Sequence, residues 1–454
     1  MVRLWFEKGT LLLKGEVGSP YGKWDPRSGC YRIKACHYRD VLDFFRESNI
    51  HIEDAALGLP ALEQLEGSIE LRAYQDKALE QWEGAGRRGV LVLPTAAGKT
   101  FIALKAIDLL KVQTLIVVPT LDLLDQWKKR VWECLGVEAG VVGGGERRVR
   151  MVTISTYDSA YAQAAYLGNN FLLLVFDEVH HLASPGYMQI AEMYLAPYRM
   201  GLTATYERGD QRHSLLPLLV GEPVYSVSVE ELTAGKHLSE YTYEKIFAEL
   251  TKQEQQLYEM NMAVFKNYLA TRRIVLRSAF DFQRFIMRTG RDLQAREALL
   301  ARNKALKVAV NSEAKLCLLA EKLEEYRKEK VLIFTLYNDL VYTISKRFFI
   351  PAVTYQTPRE ERREILANFG RGKYRVIVTS QVLDEGVDVP DASVGIILGG
   401  TGSKREFVQR LGRLLRRKDG KVAKLVEIVS KETVEVNISR RRRLKQERDK
   451  NVAQ

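Results

Sequence analysis

From Leu71 onward, short apolar runs alternate with longer amphipathic ones. The runs VLVL (90–93), TLIVV (114–118), MVTIS (151–155), LLLVF (172–176) and RMGLT (199–203) are short and almost continuously apolar, which predicts strands buried on both faces. Between them, FIALKAIDLL and LDLLDQWKKRVWECL repeat their apolar residues at helical spacing. Strands alternating with helices predict a parallel sheet covered on both sides. The rhythm breaks near residue 230 and returns with VLIFTL (331–336), VIVTS (376–380), VGIIL (394–398) and KLVEIV (424–429). The intervening residues carry long helical patterns rich in Arg, Lys, Tyr and Phe, with no buried strand expected. Ahead of the first α/β stretch, short apolar segments mix with turn signals at Gly18–Gly22 and Asp25–Gly29, and a helix-like DVLDFFRESNI follows. The expected fold class is therefore α/β with two parallel sheets. A small α+β module would occupy 1–68, the first α/β domain 69–229, a helical insertion 230–310, and the second α/β domain 311–454 with a polar, basic tail.

Charge changes this picture. The chain has 454 residues, a net charge of +12 and a pI near 9.3, an excess that favours polyanionic partners, nucleic acid first among them. Four cysteines (Cys30, Cys36, Cys134, Cys317) form no CxxC pair, which suits a reducing compartment. Their spacing with His37 and His51 matches no common zinc pattern. The N-terminal MVRLWFEKGT lacks the apolar core of a signal peptide, and no apolar run approaches the roughly 20 residues that span a bilayer. A soluble, cytoplasmic protein with no membrane partner is expected.

Two short motifs carry chemistry. LPTAAGKT (93–100) sits between a predicted strand and a predicted helix, the context of a phosphate-binding loop. Leu93 replaces the usual first glycine, and Ala96 and Ala97 fill the middle. The donors of such a loop are main-chain N–H groups, so Thr95, Ala96, Ala97 and Gly98 can still cradle phosphates provided the alanines keep negative φ, while Pro94, which has no N–H, would only shape the nucleotide-binding loop. Lys99 would reach the β- and γ-phosphates, and the Thr100 hydroxyl would hold Mg²⁺. VFDEVHH (175–181) places an acidic pair after a buried strand, where Asp177 would bind Mg²⁺ and Glu178 would orient the attacking water.

Taken with TAT (203–205) and QRLGRLLR (409–416), these motifs resemble those of superfamily 2 helicases and translocases. LRAYQ (71–75) resembles the adenine-recognising Q-type motif, which implies nucleotide contacts for Arg72 and Gln75. Within the superfamily the chain is most similar to the XPB family of DNA repair and transcription helicases, in a short form like those of archaea. The resemblance runs from about Leu71 to about Val429 and implies two RecA-like domains, a damage-recognition-like N-terminal module and a basic helical thumb. It implies that Arg413 and Arg416 act as arginine fingers across the cleft, that Gln409 senses the γ-phosphate, and that Gly386 and Asp388 line the same cleft. It also implies backbone contacts to DNA from Pro119, Thr120, Ser155, Thr156, Thr335, Thr379 and Ser380, and from Arg272, Arg273 and Arg277 of the insertion. The phenylalanines of the insertion read better as its core than as stacking platforms. Arg208, Gly209 and Asp210 stand where the family carries Arg-Glu-Asp, so the missing carboxylate bears on strand separation rather than on ATP hydrolysis.

The implied activity is that of an ATP- and Mg²⁺-dependent DNA helicase or translocase. It would move 3′ to 5′ in excision repair or transcription-linked DNA opening, as a monomeric motor with a partner nuclease or repair protein. Two alternatives are a duplex translocase that does not unwind and an RNA-directed motor of the same superfamily.

Overall fold

The computed structural model describes residues 2–15, 17–208, 210–235, 237, 239, 241–380, 392–399 and 422–440. It divides into two compact units, Met1–Ser228 and Val229–Gln454.

The first unit contains two sheets. The N-terminal one has five strands in the order Gly22–Asp25, Cys30–Lys34, Thr10–Lys14, Val2–Glu7 and Ile52–Ala55. All neighbours are antiparallel except the last pair. The helix Tyr38–Glu47 lays Tyr38, Val41 and Phe45 on this sheet, against Leu4, Leu11, Leu13 and Ile33. The same core takes in Leu195 from the neighbouring domain, and Lys34 pairs with Glu192 at 2.7 Å, so the module is docked rather than tethered. The segment that follows runs without regular structure along the domain surface. There Gln113 Nε2 donates to the Pro60 carbonyl at 2.8 Å, and the Asn169 amide donates to Ala56 at 3.0 Å.

The second sheet has eight strands, in the order Pro223–Ser226, Arg88–Val92, Tyr198–Thr203, Leu173–Asp177, Thr114–Val118, Val152–Thr156, Gly140–Gly143 and Glu146–Arg148. Every pair is parallel but the last. The central strands are buried along their whole length, which explains their unbroken apolar sequences. Arg199 is fully buried in this sheet, its guanidinium donating to the carbonyls of Ala196, Leu219 and Tyr194. Because the strands run parallel, their C-terminal ends share one edge. The loops after Val92, Asp177, Thr203, Val118 and Thr156 therefore crowd together there, the usual place for ligands in such sheets.

The second unit holds a parallel sheet of six strands: Tyr241–Ala248, Ala423–Ser430, Val394–Ile397, Val331–Phe334, Val376–Thr379 and Ala352–Val353. Its first strand corrects the expectation of a wholly helical stretch after residue 230. Tyr241–Ala248 is an edge strand with alternating exposure, so it lacks the apolar run by which buried strands announce themselves. The helices Lys252–Thr271, Ala279–Arg288 and Leu293–Val310 follow it. Small residues at Ala295, Ala298, Ala305 and Ala309 let the last approach Tyr258, Met262, Phe265 and Tyr268 of the first. Phe285 joins this core, whereas Phe280 is exposed.

Candidate functional site

The phosphate loop begins where the strand Arg88–Val92 ends. Its base is pinned by Leu93, whose N–H donates to the Thr203 carbonyl at 2.9 Å. The helix Ala73–Gly84 holds it from the side. There the Tyr74 hydroxyl and Gln75 Nε2 both donate to the Ala97 carbonyl, at 2.8 and 2.9 Å. Gln75 is buried, and its Oε1 accepts from the Arg72 N–H at 2.9 Å, so in this structure its amide braces the loop while Arg72 lies exposed. Gly98 has φ 75°, and a Cβ there would lie 2.4 Å from Gln75 Nε2, so any other residue would be strained and would have to displace the Gln75 amide. Ala96 departs from the sequence argument. Alanine was tolerable on condition of negative φ, yet Ala96 sits at φ 68°, a left-handed conformation that costs roughly 1–2 kcal/mol.

The helix Lys99–Leu110 follows with no side-chain cap at its N-terminus, so its first-turn amides point outward as an anion site. Lys99 Nζ meanwhile donates to the Leu93 carbonyl at 3.1 Å, folded back over the loop. Beside it, the Thr95 hydroxyl is buried without a partner. An uncapped helix start, an orphaned hydroxyl and a parked ammonium together suit a polyphosphate.

Asp177 closes the strand Leu173–Asp177, one strand removed from the loop. It is 8% exposed, and three groups fix it. Trp127 Nε1–H donates to its Oδ2 at 2.9 Å, the Glu178 N–H donates to its Oδ1 at 3.0 Å, and the Tyr157 hydroxyl donates to its main-chain carbonyl at 3.0 Å. Burial, then the charge of Glu178, pushes its pKa up to about 6, while Trp127 and Lys99 pull it back. Glu178 itself has φ 47°, and its Oε2 lies 3.4 Å from the Thr203 hydroxyl and 3.5 Å from His180 Nδ1. Two adjoining carboxylates, one buried at an elevated pKa, form a place for a cation. Thr100, in the first turn of the helix Lys99–Leu110, supplies a hydroxyl of the right type. Apart from this pair, no cluster of three or more His, Cys, Asp or Glu side chains suits a metal among the described residues.

The residues expected to meet nucleic acid fare unevenly. Pro119 and Thr120 are half-buried at the end of Thr114–Val118, and Thr120 caps the helix Leu121–Leu135 by accepting from the Leu123 N–H at 3.3 Å. Thr156 caps Tyr157–Leu167 in the same way, through Ser159 at 3.2 Å. Ser155 does not fit the expectation: it is 1% exposed and its hydroxyl donates to Val142 O at 2.8 Å, because in-out alternation turns it into the sheet. Thr335 and Thr379 are likewise wholly buried and Ser380 nearly so, with the Thr379 hydroxyl donating to the Ser380 carbonyl at 2.9 Å. Arg208 is engaged internally, with Asp210 at 2.9 Å and with the His180 carbonyl; that pairing holds Asp210 down to about 2. Arg272, Arg273 and Arg277 are exposed on the insertion. Gly209, Gly386, Asp388, Gln409, Arg413 and Arg416 lie outside the described residues. Sequence reasoning passed over Trp127, although it falls inside the predicted helix LDLLDQWKKRVWECL, and Tyr157, which directly follows Thr156.

Three family models match in succession. They are the damage recognition domain of the xeroderma pigmentosum group B helicase (residues 4–56), the res subunit of type III restriction enzymes (68–208) and the helicase conserved C-terminal domain (314–418). The chain is 48% identical over 443 residues to the DNA 3′-5′ translocase XPB2 of Sulfurisphaera tokodaii, covering 98% of this chain and 100% of that one. It is 25% identical over 386 residues to the DNA 3′-5′ helicase XPB of Mycobacterium tuberculosis, and 26% identical over 408 residues to the XPB/SSL2 helicase/translocase subunit of general transcription and DNA repair factor IIH from Saccharomyces cerevisiae. It spans 82% of itself and 63% of the first of these two, 83% of itself and 44% of the second. Among solved structures, the Hef helicase domain of Pyrococcus furiosus superposes with a TM-score of 0.54 at 18% identity, covering 81% of this chain and 97% of that one, a likeness of fold. No helix among the described residues is long and apolar enough to cross a membrane.

Proposed function

The chain belongs to the XPB family of superfamily 2 DNA helicases and translocases, and from that premise we propose that it is a DNA-dependent ATPase that moves 3′ to 5′ along DNA, in excision repair or transcription-linked DNA opening. The observation that carries the reading is the pairing of an uncapped helix start at Lys99 with the Asp177–Glu178 carboxylates on the same sheet edge.

In this reading the amides of Gly98, Lys99 and Thr100 take the β- and γ-phosphates, and Lys99 leaves the Leu93 carbonyl to join them. Thr100 and Asp177 hold Mg²⁺, which when bound neutralises phosphate charge. Glu178, steadied by Thr203 and His180, orients the attacking water. The resemblance assigns transition-state contacts to Gln409, Arg413 and Arg416, which lie outside the described residues.

ATP turnover measured with plain duplex, forked DNA and RNA tests this. Stimulation by DNA over RNA is expected, with Glu178→Gln reducing the stimulated rate at least about a hundredfold. Equal stimulation by RNA, or an undiminished Glu178→Gln rate, would overturn it.

Duplex translocation without unwinding is a second reading, favoured by one observation. The Arg208 fork is held by Asp210 and the His180 carbonyl, and the intervening residue is Gly209 rather than a carboxylate. Brisk ATPase on duplex with triplex displacement but no fork opening would select it.

A further inference from the structure

At the edge where the strands of the second unit begin, positive charge gathers without carboxylate partners. The segments RKEK (327–330) and GRGKYR (370–375) lead into Val331–Phe334 and Val376–Thr379, and hold six cations against one carboxylate, Glu329. They are tied side by side. The Val331 N–H donates to the Arg375 carbonyl at 2.8 Å, Lys330 Nζ to the Gly370 carbonyl at 2.7 Å, and the Arg375 guanidinium to the Arg327 carbonyl at 3.1 Å. Arg327 pairs with Glu324 at 3.2 Å, but among the described residues Lys328, Lys330, Arg371, Lys373 and Arg375 pair with no carboxylate.

Phe349 joins them at the same edge. It ends the helix Asn338–Phe348 and precedes Ala352–Val353, the strand that pairs with Val376–Thr379. The Pro351 carbonyl accepts from the Val378 N–H at 3.1 Å, so the turn holding Phe349 lies beside the start of that strand. Neighbouring strands are about 4.8 Å apart, so the three strand starts span about 10 Å. Phe349 is 94% exposed and has φ 53°, a left-handed conformation that a bulky residue rarely adopts and that helix ends ordinarily give to glycine. A ring so exposed gains too little packing to offset that strain. Thr335, Thr379 and Ser380 stand at the opposite ends of these strands and are buried.

We propose that this edge is an accessory site for single-stranded DNA, with Phe349 stacking on an unpaired base and the five cations holding the flanking phosphates. Aromatic rings set among basic groups suit a single strand, whose bases leave a face open, whereas an intact duplex covers both faces of each base. Its phosphates supply the negative charge that the edge lacks. An acidic protein segment would also supply charge, but it needs an apolar core to cover the ring, and every exposed side chain of the two segments is charged. The DNA held here is therefore a different stretch from the one assigned to Thr335 and Thr379.

The inference rests on the reading of the chain as DNA-acting, and the experiment keeps the two apart. Affinity of the full chain for a duplex with a single-stranded thymidine arm, relative to the same duplex blunt-ended, is measured by fluorescence anisotropy without ATP. ATP turnover is measured with and without the blunt duplex. The wild type is expected to prefer the armed duplex. Phe349→Ala, and Lys373→Glu combined with Arg375→Glu, should each cut that preference about five- to tenfold, with kcat and KM for ATP on blunt duplex within about twofold of wild type. Phe349→Trp should keep the preference. Phe349→Gly should lose it with a Tm no lower than wild type, because glycine relieves the left-handed turn and little packing is lost.

A wild type without the preference, or a preference untouched by Phe349→Ala or by the charge reversal, overturns the inference and leaves an acidic protein segment as the occupant. A preference lost as readily in Phe349→Trp overturns it too, since the larger ring should stack at least as well. Turnover that DNA fails to stimulate, with the arm preference intact, overturns the motor reading alone.

Discussion

The phosphate loop and the carboxylate end of the strand Leu173–Asp177 serve one proposed site by opposite means. The loop offers main-chain donors, so it accepts Leu93, Ala96 and Ala97 where glycines are usual and still presents its amides. Its cost is conformational and local, at Ala96 φ 68°. The carboxylate end offers side chains, and burial beside Glu178 raises Asp177 to about 6 even with donors compensating. Trp127 and the Glu178 amide donate to the carboxylate, and Tyr157 donates to the main-chain carbonyl behind it. A site half built from backbone tolerates drift in its residues. A half built from buried charge depends on every neighbour.

The largest effect should come from the charged groups themselves. Lys99→Ala and Asp177→Asn are each expected to lower DNA-stimulated ATP turnover about a hundredfold or more in a steady-state phosphate-release assay. Comparable rates from either variant would mean that the two halves do not work on one nucleotide.

Next, Gly98→Ala places a Cβ 2.4 Å from Gln75 Nε2 at φ 75°. Affinity for a fluorescent ADP should fall about tenfold. An unchanged affinity would show that the Gln75 side chain yields and that the loop tolerates the left-handed strain.

The buried carboxylate makes the third prediction one of pH. Its folded pKa lies near 6, above the ordinary 3.8, so between those values the folded protein holds a proton that the unfolded chain has released. Stability from this group therefore rises as pH falls through about 6 and changes no further below about 4. Asp177→Asn removes the buried charge at every pH. It should melt above wild type at pH 7.5 in the absence of nucleotide, and the margin should shrink by pH 5. Mg²⁺ competes with that proton, so Mg²⁺-dependent nucleotide binding should weaken over the same interval.

The smallest effect belongs to the loop. Ala96→Gly relieves left-handed strain but frees the unfolded chain, leaving a net gain of about 0.5 kcal/mol and a Tm rise of about 1–2 °C by calorimetry. A fall in Tm would mean that Ala96 leaves φ 68° without strain.

Local pattern alone determined a good deal of this protein. Buried parallel strands write themselves as apolar runs, which is why the main strands of both large sheets could be read, and a phosphate loop needs only a strand, a few amides, Lys99 and a helix. The acidic pair after Leu173–Phe176 was legible for the same reason.

What lay beyond the sequence was whatever depends on partners distant along the chain. Tyr241–Ala248 became a strand because Ala423–Ser430 offers it an edge, not because its own residues alternate strongly. Ser155 turned inward toward Val142, a matter of sheet register. Ala96 took a positive φ because Tyr74 and Gln75 hold the next carbonyl. Above all, Trp127 and Tyr157 meet at Asp177 from 50 and 20 residues away, a convergence that no periodicity records. Secondary structure and backbone donors are short-range properties of a chain. The satisfaction of a buried charge is a long-range one, and only the packed structure decides which side chains supply it.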